Sequence, residues 1–348
     1  MTKSLASAQP LDTRGRPLRD LRVSVTDRCN MRCRYCMPRE VFGPGFAFLP
    51  HPELLRFEEI VRVVGAFARA GVNKVRLTGG EPLLRAGMAD LVAMVAAVPG
   101  IDDIALTTNG SLLARHAERL RAAGLTRITV SLDTLNDETF AKVADTEITL
   151  GSVLDGINAA KAAGFAPLKL NAVIRRNWNE ADVEGLASFA RDGGHTMRFI
   201  EYMDVGDTNG WRLDDVVPAA EIVDRVATVW PLEPIPPSYP GEVANRYRYL
   251  DGFGEVGVIS SISQPFCGTC TRARLSAIGE VYTCLFASTG HDLRTLLRSG
   301  ASAEDLDAAV AGVWTERADR YSELRAAHAS HEGPRPGPHK VEMSYIGG

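Results

Sequence analysis

Leu21-Arg22-Val23-Ser24-Val25-Thr26-Asp27-Arg28-Cys29-Asn30-Met31-Arg32-Cys33-Arg34-Tyr35-Cys36-Met37-Pro38 decides how this chain is read. A β-branched, alternating run leads straight into three cysteines, Cys29, Cys33 and Cys36, spaced C-x3-C-x2-C. Three thiolates this close cannot complete a tetrahedral zinc site by themselves. They can hold three irons of a four-iron, four-sulfur cluster, which ordinarily takes four cysteines. The fourth iron then stays open to a small chelating ligand, to which it can pass one electron. On spacing alone, a disulfide pair with a spare thiol and a zinc knuckle with a distant fourth ligand remain alternatives.

Outward from this stretch, one pattern recurs. A helical run closes on small residues and a glycine, and an apolar strand follows, as in Ala68-Arg69-Ala70-Gly71-Val72, Arg121-Ala122-Ala123-Gly124-Leu125 and Lys161-Ala162-Ala163-Gly164-Phe165. Glycine just past a helix end is the usual left-handed stop. Before the first stop, Ile60, Val63, Val64 and Phe67 share one helical face. Strands are expected at Lys74–Leu77, Arg127–Leu132 and Leu168–Ile174, with others starting near Arg22, Asp103 and Thr196. The rhythm predicts an α/β fold: about six β/α units over residues 20–205, closed into a partial parallel barrel with its site at the carboxyl ends of the strands.

Four segments are expected. Residues 1–20, polar and broken by Pro10 and Pro17, read as a flexible N-terminal arm. Residues 21–230 form the core barrel, and the prolines of 231–240 begin a C-terminal region running to 330, with a terminal helix over 301–330. Residues 331–348 are a tail ending in Gly347-Gly348. The net charge is −4, with 39 basic and 43 acidic residues in 348, so no global positive field would draw nucleic acid. No apolar run has the length of a membrane span, and the first residues do not form a signal peptide. Six cysteines in a chain so read suggest metal ligands in a reducing cytoplasm rather than a disulfide framework.

The remaining cysteines, Cys267, Cys270 and Cys284, form a second trio, C-x2-C-x13-C. It fits a second cluster with its own open iron; zinc held by these three and His291 is the rival. Arg272 and Arg274 sit between these cysteines, at i and i+2, and on extended chain they face the same way. Two guanidiniums on one face suit a polyphosphate, or else a solvated basic patch. Arg76 and Lys169 sit inside apolar strands, where a charge is expensive unless paired. They point either at rim carboxylates or at a bound anion. Thr107, Ser131 and Met203 end the third, fourth and sixth strands. Thr78-Gly79-Gly80-Glu81-Pro82 follows the second, with glycines that let a ligand approach the backbone.

The first trio, with an aromatic residue before its last cysteine, resembles the radical S-adenosylmethionine (SAM) superfamily. Together with Arg76-Leu77-Thr78-Gly79-Gly80-Glu81-Pro82-Leu83, Leu106-Thr107-Thr108-Asn109-Gly110, Val130-Ser131-Leu132-Asp133, Arg198-Phe199-Ile200-Glu201-Tyr202-Met203, Pro265-Phe266-Cys267 and the closing di-glycine, the chain looks like the GTP 3′,8-cyclases of molybdenum cofactor biosynthesis. The resemblance implies a radical SAM barrel and a C-terminal extension with a second iron–sulfur site. It implies a lyase that converts GTP to 3′,8-cyclo-7,8-dihydro-GTP. A 5′-deoxyadenosyl radical takes the ribose 3′ hydrogen, and the carbon radical attacks carbon 8 of the guanine. It further implies two [4Fe-4S] clusters with SAM as cofactor, an electron donor, and a cyclic pyranopterin monophosphate synthase downstream. A monomer and a homodimer both stay open. By the same resemblance Tyr35, Gly80, Ser131 and Met203 contact SAM, and Arg22, Arg76, Thr107, Lys169, Arg272 and Arg274 contact GTP. The Gly347-Gly348 tail threads back into the site. The chain departs from the family pattern at Thr271, where an acidic residue is usual, in 142–150, and in Val341-Glu342-Met343. A radical SAM peptide maturase and a non-catalytic metal module are the competing readings.

Overall fold

A computed structural model of the chain describes residues 9–328 and 339–347. Six parallel strands run in sequence order: β1 (Asp20–Ser24), β2 (Lys74–Thr78), β3 (Asp103–Thr108), β4 (Arg127–Ser131), β5 (Lys169–Ile174) and β6 (Thr196–Glu201). Helices link them, as the glycine stops predict. Gly71, Gly124 and Gly164 take φ of 106°, 101° and 86°, where a side chain would strain the backbone. The predicted stripe Ile60, Val63, Val64 and Phe67 is buried against the sheet. Burying such a stripe contributes on the order of 1.5–3 kcal/mol per side chain and sets the helix on the barrel's outer face.

The C-terminal region is not a separate cover. β7 (Leu232–Ile235), β8 (Asn245–Tyr249) and β9 (Glu255–Ile259) extend one edge of the same sheet, with β9 parallel to β6. β10 (Arg272–Leu275), β11 (Glu280–Tyr282) and β12 (His291–Asp292) extend the other, with β10 parallel to β1. The sheet has twelve strands. The proline-rich 231–240 supplies β7, an outermost strand, where a missing N–H costs no ladder bond. The expected terminal helix is two helices, Ala303–Thr315 and Tyr321–His328.

Residues 9–19, expected within a flexible arm, are packed. Leu11 bridges Pro17, and Leu18, Asp12 and Arg16 are buried. Polarity misled the reading here, because the polar side chains find buried partners. Among the described residues no helix is long and apolar enough to cross a membrane.

Candidate active site

The carboxyl ends of the six central strands and both edge extensions open onto one cavity, lined by all six cysteines. None of the six is in a disulfide. Nitrogen donors stand at three sulfurs: Met31 N at 3.5 Å from Cys29 Sγ, Arg272 Nη2 at 3.4 Å from Cys270 Sγ and Phe286 N at 3.5 Å from Cys284 Sγ. Such donors are a known control on cluster thiolates, so both trios fit an iron–sulfur group. His291, the fourth donor of the zinc alternative, lies on exposed β12 outside the cavity lining. Among the described residues no three His, Cys, Asp or Glu side chains gather around a single-ion position.

The first trio is built locally. Thr26 O accepts from Gly80 N and Arg28 O from Glu81 N, both at 2.8 Å. A Cβ on Gly79 would stand 2.6 Å from Thr26 O, and one on Gly80 would overlap Arg28 O. These glycines therefore let the loop after β2 lie flat on the cysteine loop. Glu81 is fully buried; Thr108 Oγ1 and Leu83 N donate to its Oε1 at 2.8 and 3.0 Å, and Asn109 N to its Oε2 at 2.7 Å. Burial pushes its carboxyl up to about 7 against those bonds. Tyr35 donates its hydroxyl to Asp133 Oδ2 at 2.9 Å, and burial raises Asp133 to about 6. The departing loop at 142–150 also holds the cysteines: Ala144 O and Val143 O accept from Arg32 N and Arg34 N at 2.9 and 3.0 Å.

Below the trios lies a row of charge. Strand register places Arg274 of β10, Arg22 of β1 and Arg76 of β2 side by side. Like charges directly across a sheet repel. The neighbouring row alternates instead, as Arg272, Asp20, Lys74 and Asp103. Among the described residues the first row has no carboxylate. Burial first, then the adjacent cations, pull Arg22 down, and Arg274 falls to about 10 by burial and Arg272. Arg76 falls to about 10 by burial and Arg127; its Nη1 donates only to the hydroxyls of Thr107 and Thr129, at 3.0 and 3.1 Å. Neither Arg76 nor Lys169 pairs with a carboxylate among the described residues, so rim ion pairs do not account for them. The acid missing at Thr271 sits across the strand: Thr271 Oγ1 donates to Asp20 Oδ2 at 3.0 Å.

Most expected site residues meet here. Arg22, Tyr35, Arg76, Gly80, Thr107, Ser131, Met203, Arg272 and Arg274 line the cavity with the cysteines. Lys169 does not, since it starts β5 at the far end of the strand. Burial, then Arg198 and Arg127, lower its amine to about 7. Arg198, overlooked as a site residue, lines the cavity and donates from Nε to Asn171 Oδ1 at 2.9 Å. Its place inside apolar Met197-Arg198-Phe199 is the signal that singled out Arg76. Asp133, Asn171 and Arg317 were overlooked too. The tail does return: Arg274 donates to Gly347 O, and Lys340 Nζ reaches Asp204 Oδ2 at 3.0 Å. Glu342 is used as well, accepting from Asp207 N and Thr208 Oγ1 at 3.0 and 3.1 Å. Gly348 lies outside the described residues.

Residues 23–190 match the profile of the radical SAM superfamily, and residues 195–323 that of Molybdenum Cofactor Synthesis C. The chain is 64% identical to a GTP 3′,8-cyclase of Acidothermus cellulolyticus, covering 98% of this chain and 99% of that one. It is 49% identical to the GTP 3′,8-cyclase of Xanthomonas campestris pv. campestris over the full length of both. Among solved structures, Streptococcus suis SuiB bound to S-adenosylmethionine shares the fold, at TM-score 0.61 and 13% identity over 88% of this chain and 70% of that one.

Proposed function

Since the chain belongs to the GTP 3′,8-cyclase family of radical SAM enzymes, which open molybdenum cofactor biosynthesis, we propose how its own residues divide that task. Cys29, Cys33 and Cys36 hold the cluster that binds SAM, with Tyr35, Gly80, Ser131 and Met203 around the cofactor. Cys267, Cys270 and Cys284 hold a second [4Fe-4S] cluster that binds the guanine. Bound there, the clusters and SAM supply the one-electron chemistry that removes the ribose 3′ hydrogen.

The chain does the rest. Arg22, Arg274 and Arg76 grip the triphosphate, with Arg272, Thr107 and Arg198 around it; Lys169, at the start of β5, acts on it only through its charge, which already couples to Arg198 and Arg76. The observation that carries this assignment is the row of three guanidiniums, which has no carboxylate among the described residues. Such a row is unfavourable in an empty barrel and becomes favourable against a polyanion, by charge-assisted forked hydrogen bonds. The first trio follows β1 and Cys270 precedes β10, which pairs with β1, so one frame carries both trios, as holding two reactants in register requires. The returning tail lines the cavity at Met343 and Ser344, where it would help to exclude water.

A one-electron donor and a cyclic pyranopterin monophosphate synthase would act before and after this chain. Six free thiols suit a reducing cytoplasm. The test is anaerobic. Protein reconstituted with iron and sulfide, then given SAM, dithionite and GTP, should hold about eight irons and release 5′-deoxyadenosine only when GTP is present. About four irons, or turnover indifferent to GTP, would overturn the assignment.

A further inference from the structure

The hairpin of residues 11–17 reaches the back of the second cysteine trio. Gly15, at φ 75°, closes its turn, donating from N to Asp12 O at 2.9 Å. The turn sends Asp12 and Arg16 inward, where their side chains are 0% and 3% exposed. Asp12 Oδ2 accepts from Arg16 Nε at 2.6 Å and from Arg317 Nη1 at 3.3 Å. Its Oδ1 accepts from Arg14 N and Arg16 N, both at 2.9 Å. The guanidiniums then diverge. Arg16 Nη1 donates to Cys267 O at 2.7 Å and to Asp319 O at 2.9 Å, and Arg317 Nη1 to Cys270 O at 2.8 Å. Trp314 Nε1 donates to Arg16 O at 3.0 Å and Thr13 Oγ1 to Arg317 O at 2.7 Å, so both arginines are pinned at backbone and side chain.

A buried carboxylate between two guanidiniums gives little net stability compared with apolar packing. What this triad does provide is a span between two carbonyls, and both belong to cysteines whose thiols face the cavity. A bond to each carbonyl fixes the backbone at each cysteine, and with it the separation of the two thiols. Loss of a residue that orients a metal ligand commonly lowers metal affinity about ten- to a hundredfold.

We propose that Asp12, Arg16 and Arg317 are positioning residues for the second cluster, a buried ion triad that clamps the Cys267 and Cys270 backbone to the N-terminal hairpin. The inference rests on the reading that Cys267, Cys270 and Cys284 hold that cluster. It gives the first residues of the chain a task at a site made from the last third.

The test uses full-length wild type, Arg16→Lys and Arg16→Met, each reconstituted anaerobically. Iron is counted, its loss to a chelator is timed, and electron paramagnetic resonance with and without SAM identifies which cluster is lost. Arg16→Lys keeps the charge but not the fork. It should load both clusters and lose the second about tenfold faster, with the first cluster's rate and its response to SAM unchanged. Arg16→Met should retain about four irons of about eight. Loss rates equal to wild type in Arg16→Lys, or parallel loss of both clusters, would overturn the inference. Should Arg16→Met fail to fold, Arg16→Lys decides alone. A wild type holding only about four irons would instead sink the two-cluster reading and the triad's part with it.

Discussion

The two cysteine trios face one cavity but are made in opposite ways. The first is a single loop between Cys29 and Cys36, pressed between neighbouring β/α loops by backbone hydrogen bonds. The second joins a loop at Cys267 and Cys270 to a hairpin at Cys284, and is braced by ionic side chains from positions 251 and 47 residues away in sequence. Their thiols differ too. Burial, then Glu81, raises Cys29 to about 11, and burial with neighbouring thiols raises Cys33 and Cys36. In the second trio burial raises Cys284 to about 11, but Arg272 and Arg317 outweigh burial at Cys270 and bring it down to about 6. The first site is thus set in a backbone frame with carboxylates close by. The second is set in an arginine frame, the environment a nucleotide's phosphates also need.

The largest effect should come from breaking the backbone frame. Gly80→Ala puts a methyl into Arg28 O. Iron should fall to about four per chain, the second cluster should survive, and 5′-deoxyadenosine formation should stop; retention of both clusters would show that the loops can part. Next is the guanidinium row. Arg22→Ala should leave both clusters intact and lower kcat/KM for GTP about a hundredfold, ~2.7 kcal/mol, measured by product formation at fixed SAM. A loss confined to iron content would place Arg22 with the cluster instead of the triphosphate.

A smaller effect concerns Lys169, whose amine sits near 7. The sign follows from that value. Below pH 7 the amine is charged and ready for an anion. Above it the amine is neutral, and binding a triphosphate must raise its pKa and take up a proton. Calorimetry at pH 8 in buffers of different ionisation enthalpy should detect uptake of part of a proton per GTP, with Kd weakening up to about tenfold from pH 6.5 to 8.5. Lys169→Arg should remove both effects; a slope unchanged in that variant would put Lys169 outside the reach of the anion's charge. Smallest is the tail. Glu342→Gln weakens its hold on Asp207 and Thr208 and should lower turnover about two- to fivefold, about 0.5–1 kcal/mol, with cluster content unchanged. An effect as large as that of Arg22→Ala would make Glu342 part of the site.

The same contrast explains what could be read from the sequence. Strand positions, glycine stops and the first trio are local patterns, with period and spacing written in consecutive residues. Arg76 stood out because charge inside a strand breaks the apolar run, Arg272 and Arg274 because they stand two apart beside the second trio, and Arg22 only through the family resemblance; Arg198 could have been found by the rule that found Arg76. The pairing of β10 with β1 was not legible, because it joins segments some 250 residues apart through register alone. The hairpin at 11–17 was misread for a related reason. Its Asp and Arg residues look solvated until their partner at position 317 is in place. Lys169 was chosen by strand face without regard to height along the strand.

Mössbauer spectra of iron-57 protein, taken anaerobically with SAM alone and with GTP alone, test the central claim most directly. The account predicts two four-iron clusters, each with one distinct iron site, SAM changing only the cluster at Cys29, Cys33 and Cys36, and GTP only the other. A single cluster answering to both ligands, or a second trio without iron, would contradict it.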